Sequence, residues 1–190
     1  MTELRDAVSD PAWFDAALNR VAEEPGAIGG LFPAVSRRCG RAPWRAGWTV
    51  DDAARVALLT ALPLRGKELV DEVTALYRYG DAAEKRAVLR ALDRLDLGDG
   101  CVELVRDAIR TNDPRLVAAA LGPYARHLDD AYWRQAVLKC VFMDIPLSVV
   151  DGLSERADAE LRRMLAGLAE ERTAAGRTMP ADAVALLEAL

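Results

Sequence analysis

An all-α fold is what this sequence predicts, on three observations. Its apolar residues are mostly Ala and Leu, the strongest helix formers, with few Ile, Phe or Tyr. Helix starts and stops recur along the chain as Asp, Ser or Thr before an apolar run and Gly or Pro after it. No segment reads as a plausible strand.

The elements follow in order from this punctuation. Asp10-Pro11 is an N-cap with proline at the first helical position, opening a helix through about Glu23 that Pro25-Gly26 stops. A second helix covers Ala27–Cys39, weakened by Gly29, Gly30 and Pro33, and Arg37–Trp48 reads as irregular. Thr49 with Asp52 forms a capping box for a helix to about Leu62, before Pro63. Lys67–Tyr79 comes next and ends at Gly80. Asp81 with Glu84 is another capping box, for a helix to about Leu95.

Asp99 caps Cys101–Arg110. Asp113-Pro114 caps a short helix to Leu121, which Gly122-Pro123 breaks. Asp129 or Asp130 starts a helix through Met143, and Pro146 opens a short segment. Ser154 with Ala157–Asp158 opens the longest helix, which reaches Ala175 and ends at Gly176. Pro180 starts a last one to Leu190.

About ten helices joined by short turns predict a single helical-repeat-like domain over 1–190. Consecutive antiparallel pairs would stack as a HEAT/armadillo-like α-solenoid, with an irregular helical bundle as the alternative. Ala87-Val88-Leu89-Arg90 recurs as Ala136-Val137-Leu138-Lys139, at a spacing close to the ~40–47 residues of a HEAT unit.

Composition narrows the function. The chain is 52% apolar and 29% charged, too rich in apolar residues for disorder. A net charge of −5 argues against coating nucleic acid by bulk attraction. Cys39, Cys101 and Cys140 are far apart, with no C-x-x-C spacing, and read as small buried hydrophobes in a reducing compartment. Met1–Ala17 carries acids among its apolar residues, unlike a signal peptide, and no apolar run approaches the ~18 residues that span a bilayer. A cytoplasmic protein without membrane insertion is expected.

Several segments can carry chemistry. Arg37, Arg38, Arg41 and Arg45, interleaved with Trp44 and Trp48, have no acid among them. Arginine forks recognise phosphate or carboxylate, and tryptophan stacks on flat rings, so an anion or partner patch is one reading. The plainer reading pairs these arginines with acids of neighbouring helices while the tryptophans close the core. His127, the one histidine, lies beside Asp129 and Asp130 as a general base or single metal ligand, or as a solvated loop residue.

From Ala136 to Met143 the chain is apolar on nearly every side except at Lys139, which predicts a central helix. Gln135 and Lys139 are one turn apart, with Tyr132 on the same stripe. A partly buried lysine can serve as base, Schiff-base nucleophile or anion ligand, or extend its head to solvent. Arg110 and Asn112 precede the Asp113-Pro114 cap and would border a groove there. The adjacent acids Asp51-Asp52, like Glu23-Glu24 and Glu170-Glu171, read as caps and solvated faces. No G-x-S-x-G, G-x-G-x-x-G or H-E-x-x-H occurs, so no catalytic residue is assigned and no metal or cofactor is expected.

A family resemblance emerges from longer words. Arg110-Thr111-Asn112, Pro123-Tyr124, Trp133-Arg134-Gln135-Ala136-Val137-Leu138-Lys139 and Pro146-Leu147 resemble the EboA-domain proteins. So do Arg156-Ala157-Asp158, Glu171-Arg172 and Gly176-Arg177. Phe32-Pro33 through Arg41, and Gly47-Trp48-Thr49-Val50-Asp51-Asp52, are similar to actinobacterial members. The resemblance covers most of the chain and is densest between Asp81 and Arg177. It implies a bacterial gene cluster that makes or exports a secondary metabolite, beside enzymes resembling prenyltransferases, sugar-phosphate isomerases and metal-dependent hydrolases. It brings no catalytic residues.

The leading expectation is a non-catalytic helical adaptor or carrier that holds a partner enzyme or a small-molecule intermediate. The first alternative is an enzyme of the same pathway with a pocket around Lys139, using Gln135, Tyr132 and Arg110. The second is nucleic-acid binding through Arg37–Arg45.

Overall fold

The computed structural model describes residues 2–45 and 47–190. Met1, in the segment Met1–Ala17, and Ala46, in the stretch expected to be irregular, lie outside the described residues. Among the described residues the regular elements are helices except for one short hairpin. It forms two compact units, 1–104 and 105–190.

The first unit contains α1 (Thr2–Ala7), α2 (Pro11–Glu23), α3 (Ile28–Cys39), α4 (Val50–Thr60), α5 (Gly66–Tyr79) and α6 (Ala82–Ala91). Caps explain where these helices begin. Asp10 accepts from the Trp13 amide at 3.0 Å, with Pro11 at the first helical position. Both expected capping boxes, Thr49 with Asp52 and Asp81 with Glu84, are formed. α5 buries Leu69, Val73, Leu76 and Tyr77, one face at helical spacing. α4 differs, because Val50 through Leu59 are all buried and it touches α1, α2, α3 and α6. It is the centre of this unit.

Two expectations need correction here. Pro43–Arg45 (β1) and Trp48–Thr49 (β2) pair antiparallel, with Pro43 opposite Thr49, Arg45 opposite Trp48, and Gly47 in the turn at φ +71°. A strand is therefore present where none was expected, because runs of two or three residues are too short to show alternation. Asp52 completes the Thr49 capping box as expected, but Asp51 and Asp52 are both buried rather than solvated. Arginines from α4 and α6 neutralise them in place of water.

The second unit contains the end of α7 (Val102–Arg110), then α8 (Pro114–Ala120), α9 (Asp130–Phe142), α10 (Leu153–Arg156), α11 (Ala159–Ala174) and α12 (Ala181–Ala189). Asp113, Asp129 and Asp158 cap α8, α9 and α11 through the amides of Arg115, Tyr132 and Leu161. Arg172 of α11 is buried and donates to the carbonyls of Thr178 and Val141 and to Asp144, tying the ends of α9 and α11 together. α9 buries Trp133, Ala136, Val137, Cys140 and Val141. Its opposite side is not closed over as expected: Leu138 and Met143 are half-buried and Phe142 is 61% exposed. The three cysteines are buried and none is in a disulfide. No helix among the described residues is long and apolar enough to cross a membrane.

Candidate functional site

The open side of α9 forms one wall of a cleft of about 680 Å³ with the end of α7 and Leu168 of α11. Lys139, Gln135, Tyr132, Arg110 and Asn112 all line it. Helical spacing explains the grouping on α9, since Tyr132, Gln135, Lys139 and Phe142 recur every three or four residues and share a face. Ile109, Ala136, Leu138, Met143 and Leu168 complete an apolar wall. Gln135, Asn112 and Arg110 are exposed and form a polar rim.

Lys139 has a structural task in this cleft. Its Nζ donates to the carbonyls of Ile109 and Thr111, both at 2.7 Å. These carbonyls lie at the C-terminal end of α7, where intrahelical donors run out and the helix dipole favours a cation. Arg110, the last residue of α7, pairs with Asp107 at 3.5 Å, and α9 supplies the cation there through Lys139. A Schiff-base nucleophile needs a free amine lone pair, whereas this nitrogen is committed as a donor to two carbonyls. Tyr132 is likewise engaged. Its hydroxyl donates to the Arg106 carbonyl at 3.2 Å and its ring lies 5.4 Å from the Arg106 guanidinium, which pairs with Asp129 at 3.0 Å. The cleft thus joins an apolar wall to a polar rim.

The arginine–tryptophan segment divides between α3 and the hairpin. Arg37 and Arg38 are exposed on α3 and Arg41 is exposed beyond it. Arg38 pairs with Asp10 at 3.6 Å, and Arg45 pairs with Glu3 of α1. The Arg45 guanidinium also sits 4.5 Å from the Trp44 ring, and Trp48 is flanked by Arg90 at 4.8 Å and Arg94 at 5.2 Å. Trp44, Trp48 and Arg45 thus border a pocket of about 470 Å³, with Ala53, Val56 and Ala57 of α4 among its lining. Arg37, Arg38 and Arg41 do not line it.

A buried ionic network holds that hairpin. Asp52 receives Arg86 Nε at 3.0 Å and Arg90 Nη1 at 2.6 Å, while Arg90 Nη2 reaches the Gly47 carbonyl at 2.7 Å. Beside it, Arg55 donates to Asp51 at 3.1 Å, to Ser36 at 2.9 Å and to the Phe32 carbonyl at 3.1 Å, with Glu84 at 3.8 Å. Burial pushes the Asp51 carboxyl up, but hydrogen bonds from Thr49 and Ser36 and the Arg55 charge outweigh it and leave it below the usual range. Asp52, Arg86, Arg90, Arg94 and Glu3 were missed by sequence reasoning. One signal was available: two adjacent acids and an arginine inside an otherwise apolar helix need buried partners.

His127 ends a 3₁₀ turn, Pro123–His127, with its ring 4.7 Å from Tyr124 and its Nε2 buried. Burial of that atom corrects the solvated reading. Among the described residues no group of three or more His, Cys, Asp or Glu could hold a metal ion. Burial drives the Cys39 thiol up to about 11 and the Cys140 thiol to about 12, so neither is a ready nucleophile.

A family model described as metabolite traffic protein EboA matches residues 34–188. No curated protein and no solved structure matches the chain.

Proposed function

This chain belongs to the family of metabolite traffic protein EboA, and from that premise we propose that it is a non-catalytic carrier of a small molecule. The cleft on α9 is the binding site. One observation carries the reading: Phe142 is 61% exposed beside an apolar wall, while Lys139, the residue best suited to chemistry there, caps α7. An exposed aromatic side chain in a concave apolar setting is a ready contact for an apolar ligand.

The cargo is a pathway intermediate with an apolar, isoprenoid-like body and a polar end that meets Arg110, Asn112 or Gln135. The protein works in the cytoplasm, within a cluster that makes or exports a secondary metabolite, and hands the molecule to a partner enzyme. Consecutive helices stack as HEAT-like pairs within this reading. Contacts of α8 with α9 and of α11 with α12 support that arrangement.

Titration with farnesol and farnesyl phosphate, followed by calorimetry, tests the assignment. Both probes bind, and Phe142→Ser weakens binding by about ten-fold or more, the scale of one lost aromatic contact. Phe142 is exposed, so its replacement leaves the fold intact. Absence of binding by either probe, or unchanged affinity in Phe142→Ser, would contradict the reading.

A further inference from the structure

We propose that the pocket under the hairpin of the first unit is a separate binding site for a small planar carboxylate, and that Glu3 is its built-in occupant. The inference does not depend on the cleft of α9. At about 470 Å³ the pocket is within the range of small-molecule sites and roomy enough for a one- or two-ring molecule. Ala53, Val56 and Ala57 of α4, with Leu4 of α1, give it an apolar floor. Trp44 and Trp48 supply flat faces, each half-buried rather than packed into the core. Arg45 and Arg94 place two guanidinium groups at the same pocket, each beside a tryptophan ring.

The chemical class follows from what Arg45 already holds. Glu3, a lining residue from α1, puts its carboxylate on the Arg45 guanidinium. Both partners of this pair are largely exposed, at 59% and 75%, so the pair itself adds little to stability and a competing carboxylate can displace it. A carboxylate fits the guanidinium fork, and a ring attached to it would lie against tryptophan. Arg90 is not free to take part, being committed to Asp52 and to the Gly47 carbonyl. Those two bonds instead hold Trp48 and its turn in place, so the pocket is preformed.

The test is titration of the whole protein with 2-naphthoate, its neutral amide and inorganic phosphate, read by calorimetry. 2-Naphthoate binds, the amide binds at least about ten-fold more weakly, and phosphate does not compete. Glu3→Gln removes the internal competitor and raises 2-naphthoate affinity several-fold. Trp44→Leu and Arg94→Ala, both outside the buried ionic network, each lower it by about ten-fold. Circular dichroism establishes that each variant is folded. No binding by the wild type and by Glu3→Gln would overturn the site, and unchanged affinity in Glu3→Gln would overturn the role of Glu3. Equal binding of phosphate would overturn the planar-carboxylate assignment. Phe142→Ser leaves 2-naphthoate binding unchanged, so this proposal and the carrier reading fail separately.

Discussion

Asp52 has no exposed surface, yet it places a carboxylate in the first turn of α4, where Arg86 and Arg90 reach it from α6. Asp51 and Glu84 face Arg55 in the same way, so three acids meet three arginines beneath the hairpin. Charges withdrawn from water are stable only while their partners remain. Arg55→Leu is therefore expected to cost about 3–5 kcal/mol in urea denaturation, because it leaves Asp51 and Glu84 buried without their cation. A loss below about 1 kcal/mol, the value of a surface pair, would contradict the network. The lowered Asp51 carboxyl also sets a pH dependence. Its folded pKa lies below the unfolded value of about 3.9, so its stabilisation is complete above that value and disappears as pH falls through the folded pKa. The urea midpoint is expected to hold level from pH 7 to about 5 and then to drop, less steeply in Asp51→Asn.

At the scale of elements, the chain announces helices wherever a cap and an apolar stripe coincide. Asp10-Pro11, Asp81 with Glu84 and Asp113-Pro114 begin helices where the sequence places them, whereas the helix expected to open at Ser154 is split, α10 ending at Arg156 and α11 starting after its cap Asp158. α1 and α10 escape because six and four residues show too little periodicity. The hairpin escapes for the same reason, and its stability comes from Arg90, far along the chain. The cleft was half legible. Tyr132, Gln135 and Lys139 share a stripe of α9 by local geometry, but the carbonyls that occupy Lys139 come from Ile109 of α7 and from Thr111 just beyond it. No local pattern reports a bond that spans that distance. Lys139→Ala is expected to lower stability by about 1–3 kcal/mol by thermal denaturation, since it removes two charge-assisted bonds. Borohydride treatment with an aldehyde is expected to give no adduct at Lys139. A trapped adduct there, with stability unaffected by Lys139→Ala, would make the lysine a nucleophile instead of a cap.

For the whole molecule, two features combine. The chain belongs to a family described by metabolite traffic, and its second unit carries a preformed cleft with an apolar wall and a polar rim. The residues that could have made that cleft reactive are bonded to the main chain, Lys139 to α7 and Tyr132 to the Arg106 carbonyl. A carrier requires that arrangement, because its cargo must enter and leave unchanged. The most direct measurement is native mass spectrometry of the protein isolated gently from its own host, together with the Phe142→Ser variant. The account predicts a discrete mass increment that disappears on denaturation and is diminished or absent in the variant. A bare protein mass for both, or a bound molecule that is chemically converted over time, would contradict the carrier.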